Sequence, residues 1–322
     1  METESAEVWP RRFRGAAFVV GILLLASSPA LCQVFTVADK NVQKLANAVV
    51  SLLQYNLSPE ITASSLAISG GTGGSTPLSM SALGGGFTWS RSFPLYLEGT
   101  LAYIRYDPQF LLSNGVQQQQ TPIKWSSLSG TGGIGWDLPI ARELVLRPMA
   151  NVTLGRLTST SSVFGILDRQ KGNDVQFLQG GHLNAFGYGG SLMLDYEHYR
   201  RDYELDAEVR LTNIWLQSYG NTSVAVQGSS LAQSLGLWSR WRAPVGFEAL
   251  NRPVRYVLEY ACEYYFGPNG DMLGFSSLNS IGTGLELDTS AYNRMVTRWR
   301  LMGRYRFGYN VSGWGVSIGM SF

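Results

Sequence analysis

The sequence has few charged residues and no marked excess of either sign. Its 322 residues contain 25 Lys and Arg against 23 Asp and Glu, and charged side chains make up 15% of the chain. A protein that binds nucleic acid needs a basic stripe or patch, which a near-balanced count does not favour. We therefore predict no nucleic-acid partner.

Cysteine and histidine are scarce, with two of each. Cys32 lies at the end of a predicted export signal, so Cys262 would be alone in the mature chain, and we expect no disulfide framework and no metal site. His182 and His198 both lack the His-x-Ser spacing of outer-membrane lipid hydrolases. We predict no catalytic residues and no cofactor.

Long apolar runs are missing as well. The one apolar stretch, residues 15–28, follows three arginines and precedes the small residue Ala30, a pattern typical of a secretory signal peptide. It is shorter than the roughly 20 residues of a membrane-spanning helix. We predict a signal peptide over residues 1–32, cleaved after Cys32 or after Ala30, and any embedding of the rest in a membrane would require strands.

Glycine and aromatic residues are abundant, with 37 Gly, 16 Tyr, 14 Phe and 9 Trp. One glycine-rich run, residues 130–135, matches the dinucleotide fingerprint G-x-G-x-x-G letter for letter. The residues after it include Pro139 where a helix should begin, so we do not assign cofactor binding. Together with the low charge, this composition favours a membrane β-barrel.

The C-terminus alternates between large apolar residues and Gly or Ser, which indicates a strand with one apolar and one small, polar face. It resembles the last strand of bacterial outer-membrane barrels, whose terminal aromatic residue is part of the signal read by the assembly machinery. That resemblance implies two partners, outer-membrane lipid and the barrel assembly machinery. The predicted assembly signal consists of Trp314, Val316, Ile318, Met320 and Phe322.

Residues 39–56 have the periodicity of an amphipathic helix that begins at Asp39 and ends before Pro59. At ~1.5 Å per residue the helix would be about 25 Å long, which is comparable to the height of a barrel's apolar band. It either threads the lumen as a plug or rests on the periplasmic rim.

From residue 61 onward, alternation and turn signals divide the chain into about twelve strands, which predicts an all-β, transmembrane antiparallel β-barrel over residues 61–322, preceded by the helical segment 33–60. Residues 107–122 are predicted to be a polar loop, and residues 157–181 the longest loop. The predicted strands are 61–69, 78–90, 95–106, 123–138, 144–156, 182–196, 202–217, 224–241, 253–266, 278–287, 294–307 and 310–322.

Several of these strands place a charge at every second position. An arginine on the lipid face costs ~2–4 kcal/mol near the midplane, so we expect these charges to face the lumen. They would form either a network of ion pairs or the lining of a solute path. The lumen-lining set is Arg298, Arg300, Arg304, Arg306, Glu204, Asp206, Glu208, Glu259 and Glu263, and the same alternation places Glu98, Glu286, Lys124, Arg147 and Arg255 inward.

An export signal, a helix of lumen length and about twelve strands ending in Phe322 together resemble the translocator domain of a classical autotransporter. The resemblance implies a protein of a Gram-negative outer membrane. Few residues separate Gln33 from Asp39, so the chain is most similar to solitary autotransporter-like barrels without a passenger. The first functional hypothesis is a structural or transport-related barrel. The alternative is a channel whose arginine row attracts a small anionic solute, and the third is an outer-membrane enzyme.

Overall fold

The structure is a computed structural model, and it describes residues 62–69, 75–106, 109–113, 118–161, 182–220, 228–249, 251–267, 275–289 and 297–321. The predicted signal peptide, the predicted helix at 39–56 and the terminal Phe322 lie outside the described residues. Within them, no helix is long and apolar enough to cross a membrane.

The described residues form fourteen strands in chain order. They are β1 Thr62–Ser69, β2 Ser75–Thr88, β3 Leu95–Tyr106, β4 Gln109–Ser113, β5 Gln118–Trp136, β6 Leu138–Ala141, β7 Leu144–Ser161, β8 His182–Tyr199, β9 Glu204–Tyr219, β10 Ser229–Ala249, β11 Arg252–Phe266, β12 Ser277–Asp288, β13 Arg298–Gly308 and β14 Val311–Ser321.

Twelve of these strands close into a ring of antiparallel neighbours. The order is β5-β3-β2-β1-β14-β13-β12-β11-β10-β9-β8-β7, and β7 pairs with β5 to complete it. The first and last strands meet directly, with Ala63 opposite Val316. The short strands β4 and β6 pair with β5 and β7 and extend the hairpins on either side of them. The prediction of a barrel of about twelve antiparallel strands is confirmed.

Each end of the barrel has a tight turn with an asparagine in the left-handed conformation. We call the end where β1 begins and β14 finishes the terminal end, and the opposite end the loop end. Asn251 and Asn310 lie in the tight turns between β10 and β11 and between β13 and β14, with φ of 56° and 59°. This left-handed conformation is one that asparagine tolerates better than most side chains.

The predicted strand ends were wrong at three places. The predicted loop 107–122 contains β4 and the start of β5, which pair with each other. Alternation did not reveal them, because a hairpin that projects beyond the membrane needs no apolar face. β7 likewise runs on to Ser161, and β10 runs on to Ala249 through an irregular register between Pro244 and Glu248.

The outward face of the ring is apolar and layered. Aliphatic side chains such as Leu101, Val209 and Ile318 are about half exposed around its middle. Exposed aromatic residues lie above and below them, including Trp136 and Trp299 toward the terminal end and Trp215 and Trp314 toward the loop end. An aliphatic band between two aromatic girdles is the surface that a lipid bilayer requires. The barrel is therefore a transmembrane one.

The inward face is not polar throughout. Near the loop end it carries aliphatic side chains that are at most 2% exposed. The charged residues lie in the middle and toward the terminal end. These inward aliphatic residues are Leu78, Ile104, Leu157, Leu183, Ile214 and Leu216.

Candidate functional site inside the barrel

Inward charges are concentrated on five neighbouring strands, β9 to β13, near the terminal end. Strand alternation sets which side chains face inward: on β13, Arg300, Arg304 and Arg306 are buried, while Trp299 and Leu301 on either side of Arg300 are exposed. The other predicted lumen residues on these strands lie on the same inward face, and Glu204, Asp206 and Glu259 are buried there.

Glu286 on β12 is the acid with the most cationic neighbours in the described interior. Its side chain is 1% exposed and accepts hydrogen bonds from Arg300 Nε at 3.0 Å and Nη2 at 2.6 Å. Arg242, Arg255 and Arg298 lie 3.4–3.8 Å from it. Four arginines from β10, β11 and β13 thus converge on one carboxylate. Its negative charge compensates their positive charges inside the barrel.

Glu204 on β9 is the second acidic centre. It accepts hydrogen bonds from Arg255 Nη1 at 2.6 Å and from Arg298 Nη1 at 2.7 Å, and Arg242 Nη2 lies 3.3 Å from it. Arg242 also donates to Asp206 at 2.6 Å. Because β9 and β13 are four strands apart in the ring, the contact between Arg298 and Glu204 crosses the interior.

A third acid, Glu259 on β11, lies one layer closer to the middle of the barrel. It accepts hydrogen bonds from Arg240 at 3.1 Å, and Arg304 Nη2 lies 2.6 Å from its other oxygen. A Cβ at Gly282 would lie 3.0 Å from Arg304 Cγ, so the glycine leaves room for this arginine.

On the other side of β9, Arg210 forms a bidentate ion pair with Glu98 on β3, with distances of 2.6 and 2.9 Å. Asn151 on β7 donates to Glu98 at 3.1 Å, and Ser191 on β8 donates to Asn151 at 2.7 Å. β3 and β9 are also four strands apart, so this pair crosses the interior in the opposite direction. β9 is therefore tied to both sides of the barrel.

Gly133 explains why the glycine-rich run lies where it does. The run is part of β5, and a Cβ at Gly133 would lie 2.6 Å from Glu98 and 2.7 Å from Asn151. Only a residue without a side chain lets these two groups meet across β5. The match to the dinucleotide fingerprint therefore reflects packing inside a strand.

Arg147 on β7 forms a further set of inward contacts near the terminal end. It forms an ion pair with Asp137, approaches Asp195 at 3.2 Å and lies 3.8 Å from the centre of the Tyr96 ring. Tyr96 in turn fits against Gly86, where a Cβ would collide with its hydroxyl.

The remaining predicted lumen residues border a cavity of about 320 Å³ in the middle of the barrel. Glu208, Glu263 and Arg306 line it, together with Arg210 and Arg240. Glu263 accepts a hydrogen bond from Tyr265 at 3.0 Å, and Arg306 Nη1 lies 3.8 Å from the sulfur of Met80. The lining contains both acids and bases.

One charge was placed on the wrong face. Lys124 was expected inward, but Trp125 is the buried neighbour and Lys124 is exposed. Charge identifies the lumen face only within the apolar band. Lys124 lies beyond that band at the loop end, where the outer surface meets water.

Sequence reasoning missed Arg240 and Arg242, which are central to the network. Both alternate with the exposed Trp241, so the same signal that identified the arginines of β13 was present. Arg242 lay beyond the predicted end of the strand at Trp241, while the actual strand continues to Ala249, and Arg240 lay within the predicted strand but was not selected.

A small polar cluster lies at the terminal rim, around the turn between β6 and β7 and the end of β8. Glu143 accepts hydrogen bonds from His198 at 2.7 Å and from Arg200 at 3.0 Å. The hydrogen bond with His198, followed by that with Arg200, lowers the pKa of the Glu143 carboxyl. In the part of the chain that the structure describes, no group of three or more His, Cys, Asp or Glu side chains could hold a metal ion.

The predicted assembly signal lies on the lipid-facing side of β14. Trp314, Val316, Ile318 and Met320 are all exposed there, with Trp314 the most exposed at 70%. Ser317 between them is buried, and Gly319 faces Arg300, whose Nη1 would lie 3.2 Å from a Cβ at that position. Small residues on the inner face of β14 therefore leave space for the arginines of β13.

No protein-family model and no curated sequence matches the chain. Solved structures do match it in fold. The transport unit of the autotransporter AIDA-I from Escherichia coli matches with a TM-score of 0.47, 12% identity and coverage of 87% of this chain and 99% of that one. The β-domain of the Bordetella autotransporter BrkA matches with a TM-score of 0.46, 13% identity and coverage of 80% of this chain and 95% of that one. The translocator domain of NalP from Neisseria meningitidis matches with a TM-score of 0.45, 12% identity and coverage of 80% of this chain and 84% of that one.

Proposed function

We propose that the chain is an integral β-barrel of a Gram-negative outer membrane, similar to autotransporter translocator domains, with an interior held closed by its own side chains. The observation that carries the proposal is the pair of ion-pair bridges, Arg298 with Glu204 and Arg210 with Glu98, that cross the barrel. Each bridge joins strands four apart in the ring and occupies space that an open channel would leave to water. In this proposal the terminal end faces the periplasm and the barrel assembly machinery folds the chain.

Residues 39–56 supply the rest of the closure in this proposal. Strands β14 and β2 flank β1 and lie opposite β9 in the ring, and toward the terminal end their inward positions carry small residues. A helix ~10 Å across fits between these strands and the charged side of the ring. The small inward residues that could border such a helix are Ala82, Gly84, Gly313 and Gly315.

The second candidate is a channel for a small anionic solute, favoured by the arginines around the central cavity. The ion pairs count against it. Arginines that are paired with carboxylates contribute little net potential, so such a pore would select only weakly for anions.

Replacing Ile318 by lysine tests the embedding in a bilayer. Ile318 lies between the two aromatic girdles and is 50% exposed to lipid, so a charge there should destabilise the barrel by up to ~2–4 kcal/mol. Tyr309→Lys is the matched control, because Tyr309 is also exposed but lies in the turn at the loop end. Urea unfolding of protein refolded into phospholipid vesicles measures both changes. Equal stability of the two variants would contradict the proposed position in the membrane.

A further inference from the structure

A row of polar side chains crosses four neighbouring strands on the outer surface near the loop end. Arg105 lies opposite Ser126, Ser126 opposite Thr158, and Thr158 opposite His182. The hydroxyls of Ser126 and Thr158 are hydrogen-bonded at 2.6 Å. The row therefore forms a continuous polar surface across β3, β5, β7 and β8.

Two more cations flank this row. Lys124 is two residues from Ser126 on the side of the loop end, and Arg156 is two residues from Thr158 on the side of the apolar band. Arg105, Lys124 and Arg156 are all exposed. We call Arg105, Lys124, Arg156 and His182, with Ser126 and Thr158, the basic rim patch.

The patch is unlike the rest of the outer surface. Within the described residues, the outward positions of β3, β5, β7 and β8 carry no Asp or Glu. From the loop end to the terminal aromatic girdle, the described outward positions of β9 to β14 carry no charge of either sign. Between the loop end and the terminal aromatic girdle, the outward-facing Lys and Arg of the described residues thus lie only on β3, β5 and β7.

The level of the patch points to a lipid. Tyr103 and Leu128 lie directly below the row and are 45% and 52% exposed, and Leu101 and Leu154 continue the apolar surface beneath them. Basic side chains at the border of the apolar band meet the headgroup phosphates, while the acyl chains of the same molecule cover the apolar residues below. A free phosphate would gain nothing from this second surface.

We propose that the basic rim patch binds a phosphorylated lipid of the outer leaflet. The lipid phosphates contact Arg105, Lys124 and Arg156, the hydroxyls of Ser126 and Thr158 complete the polar contacts, and the acyl chains lie on Leu101, Leu128 and Leu154. This inference rests on the proposed orientation, in which the loop end faces the outside of the cell.

Binding of diphosphoryl lipid A to the full chain, measured by native mass spectrometry after release from detergent, tests the proposal. The variant R105Q/K124Q/R156Q should bind at least tenfold more weakly, which corresponds to about 1.4 kcal/mol. The matched control is R91Q/R142Q/R201Q, which removes three exposed arginines from turns at the terminal end and should bind like the wild type. Inorganic phosphate in the same concentration range should not compete.

Heat-modifiable migration and circular dichroism of each variant establish that the barrel is folded, so loss of lipid binding is distinguishable from failure of the barrel itself. A folded R105Q/K124Q/R156Q variant that binds lipid A as well as the wild type overturns the proposal. Equal loss in the control variant overturns it too, because binding would then follow total charge. Competition by inorganic phosphate would overturn the choice of a lipid.

Discussion

Replacing Glu286 by glutamine should destabilise the barrel by ~3–5 kcal/mol, the loss expected when one partner of a buried ion pair is removed. Glutamine keeps the shape of the side chain but removes the one charge on which Arg242, Arg255, Arg298 and Arg300 converge. These four inward-facing arginines, of which Arg242 and Arg300 are buried, would then share the remaining acids. Urea unfolding in vesicles gives the free energy of unfolding of both proteins.

Glu143→Gln is the matched control for this change, since it removes a carboxylate that also contacts an arginine but lies at the exposed rim. Its effect should be much smaller, because an exposed pair is screened by water. Adding Arg300→Gln to Glu286→Gln should cost less than the sum of the two single changes. A Glu286→Gln protein as stable as the wild type would mean that these arginines do not depend on that carboxylate.

Deleting residues 39–56 should raise the conductance of the protein in planar bilayers by an order of magnitude or more. One cross-barrel ion pair joins β9 to β13 and the other joins β9 to β3, while small inward residues on β14 and β2 lie on the opposite side of the ring from β9. If residues 39–56 fill the space beside these small residues, the intact protein conducts little and the deletion opens a water-filled path.

A deletion that keeps residues 33–38 and removes only the predicted helix leaves the start of β1 in place, and exchange of residues 39–56 for a Gly-Ser linker of equal length controls for chain length. Because the arginines are paired, the reversal potential of the open form in a salt gradient should show only weak anion selectivity. A large and equal conductance in the intact and deleted proteins would support the channel hypothesis instead.

The fold was largely predictable from the sequence, because two physical constraints act on every strand. The outward positions must be apolar, and the charges of β13 must therefore face the interior. The number of strands and the face on which each side chain lies then follow from alternation. The ends of the strands were not predictable in this way. β4 and the end of β10 lie where the bilayer no longer imposes a pattern on the chain.

The partners inside the barrel could not be predicted from the sequence. Alternation placed Arg298 and Glu204 on the inner face, but their contact depends on the closure of the ring, which brings together strands separated by 94 residues. The same holds for Glu98 and Arg210, which lie 112 residues apart in the sequence. Alternation along the sequence predicts on which face of the sheet a side chain lies. It does not predict which residue that side chain contacts.

The most direct test of the closed interior is a double-mutant cycle on Glu98 and Arg210 in vesicle-embedded protein. The two residues lie four strands apart, so coupling between them cannot pass through a shared strand pair. We expect Glu98→Gln and Arg210→Gln each to lower the free energy of unfolding. The loss in the double variant should be smaller than the sum of the two single losses by at least ~1 kcal/mol. Strictly additive effects would contradict an ion pair across the barrel.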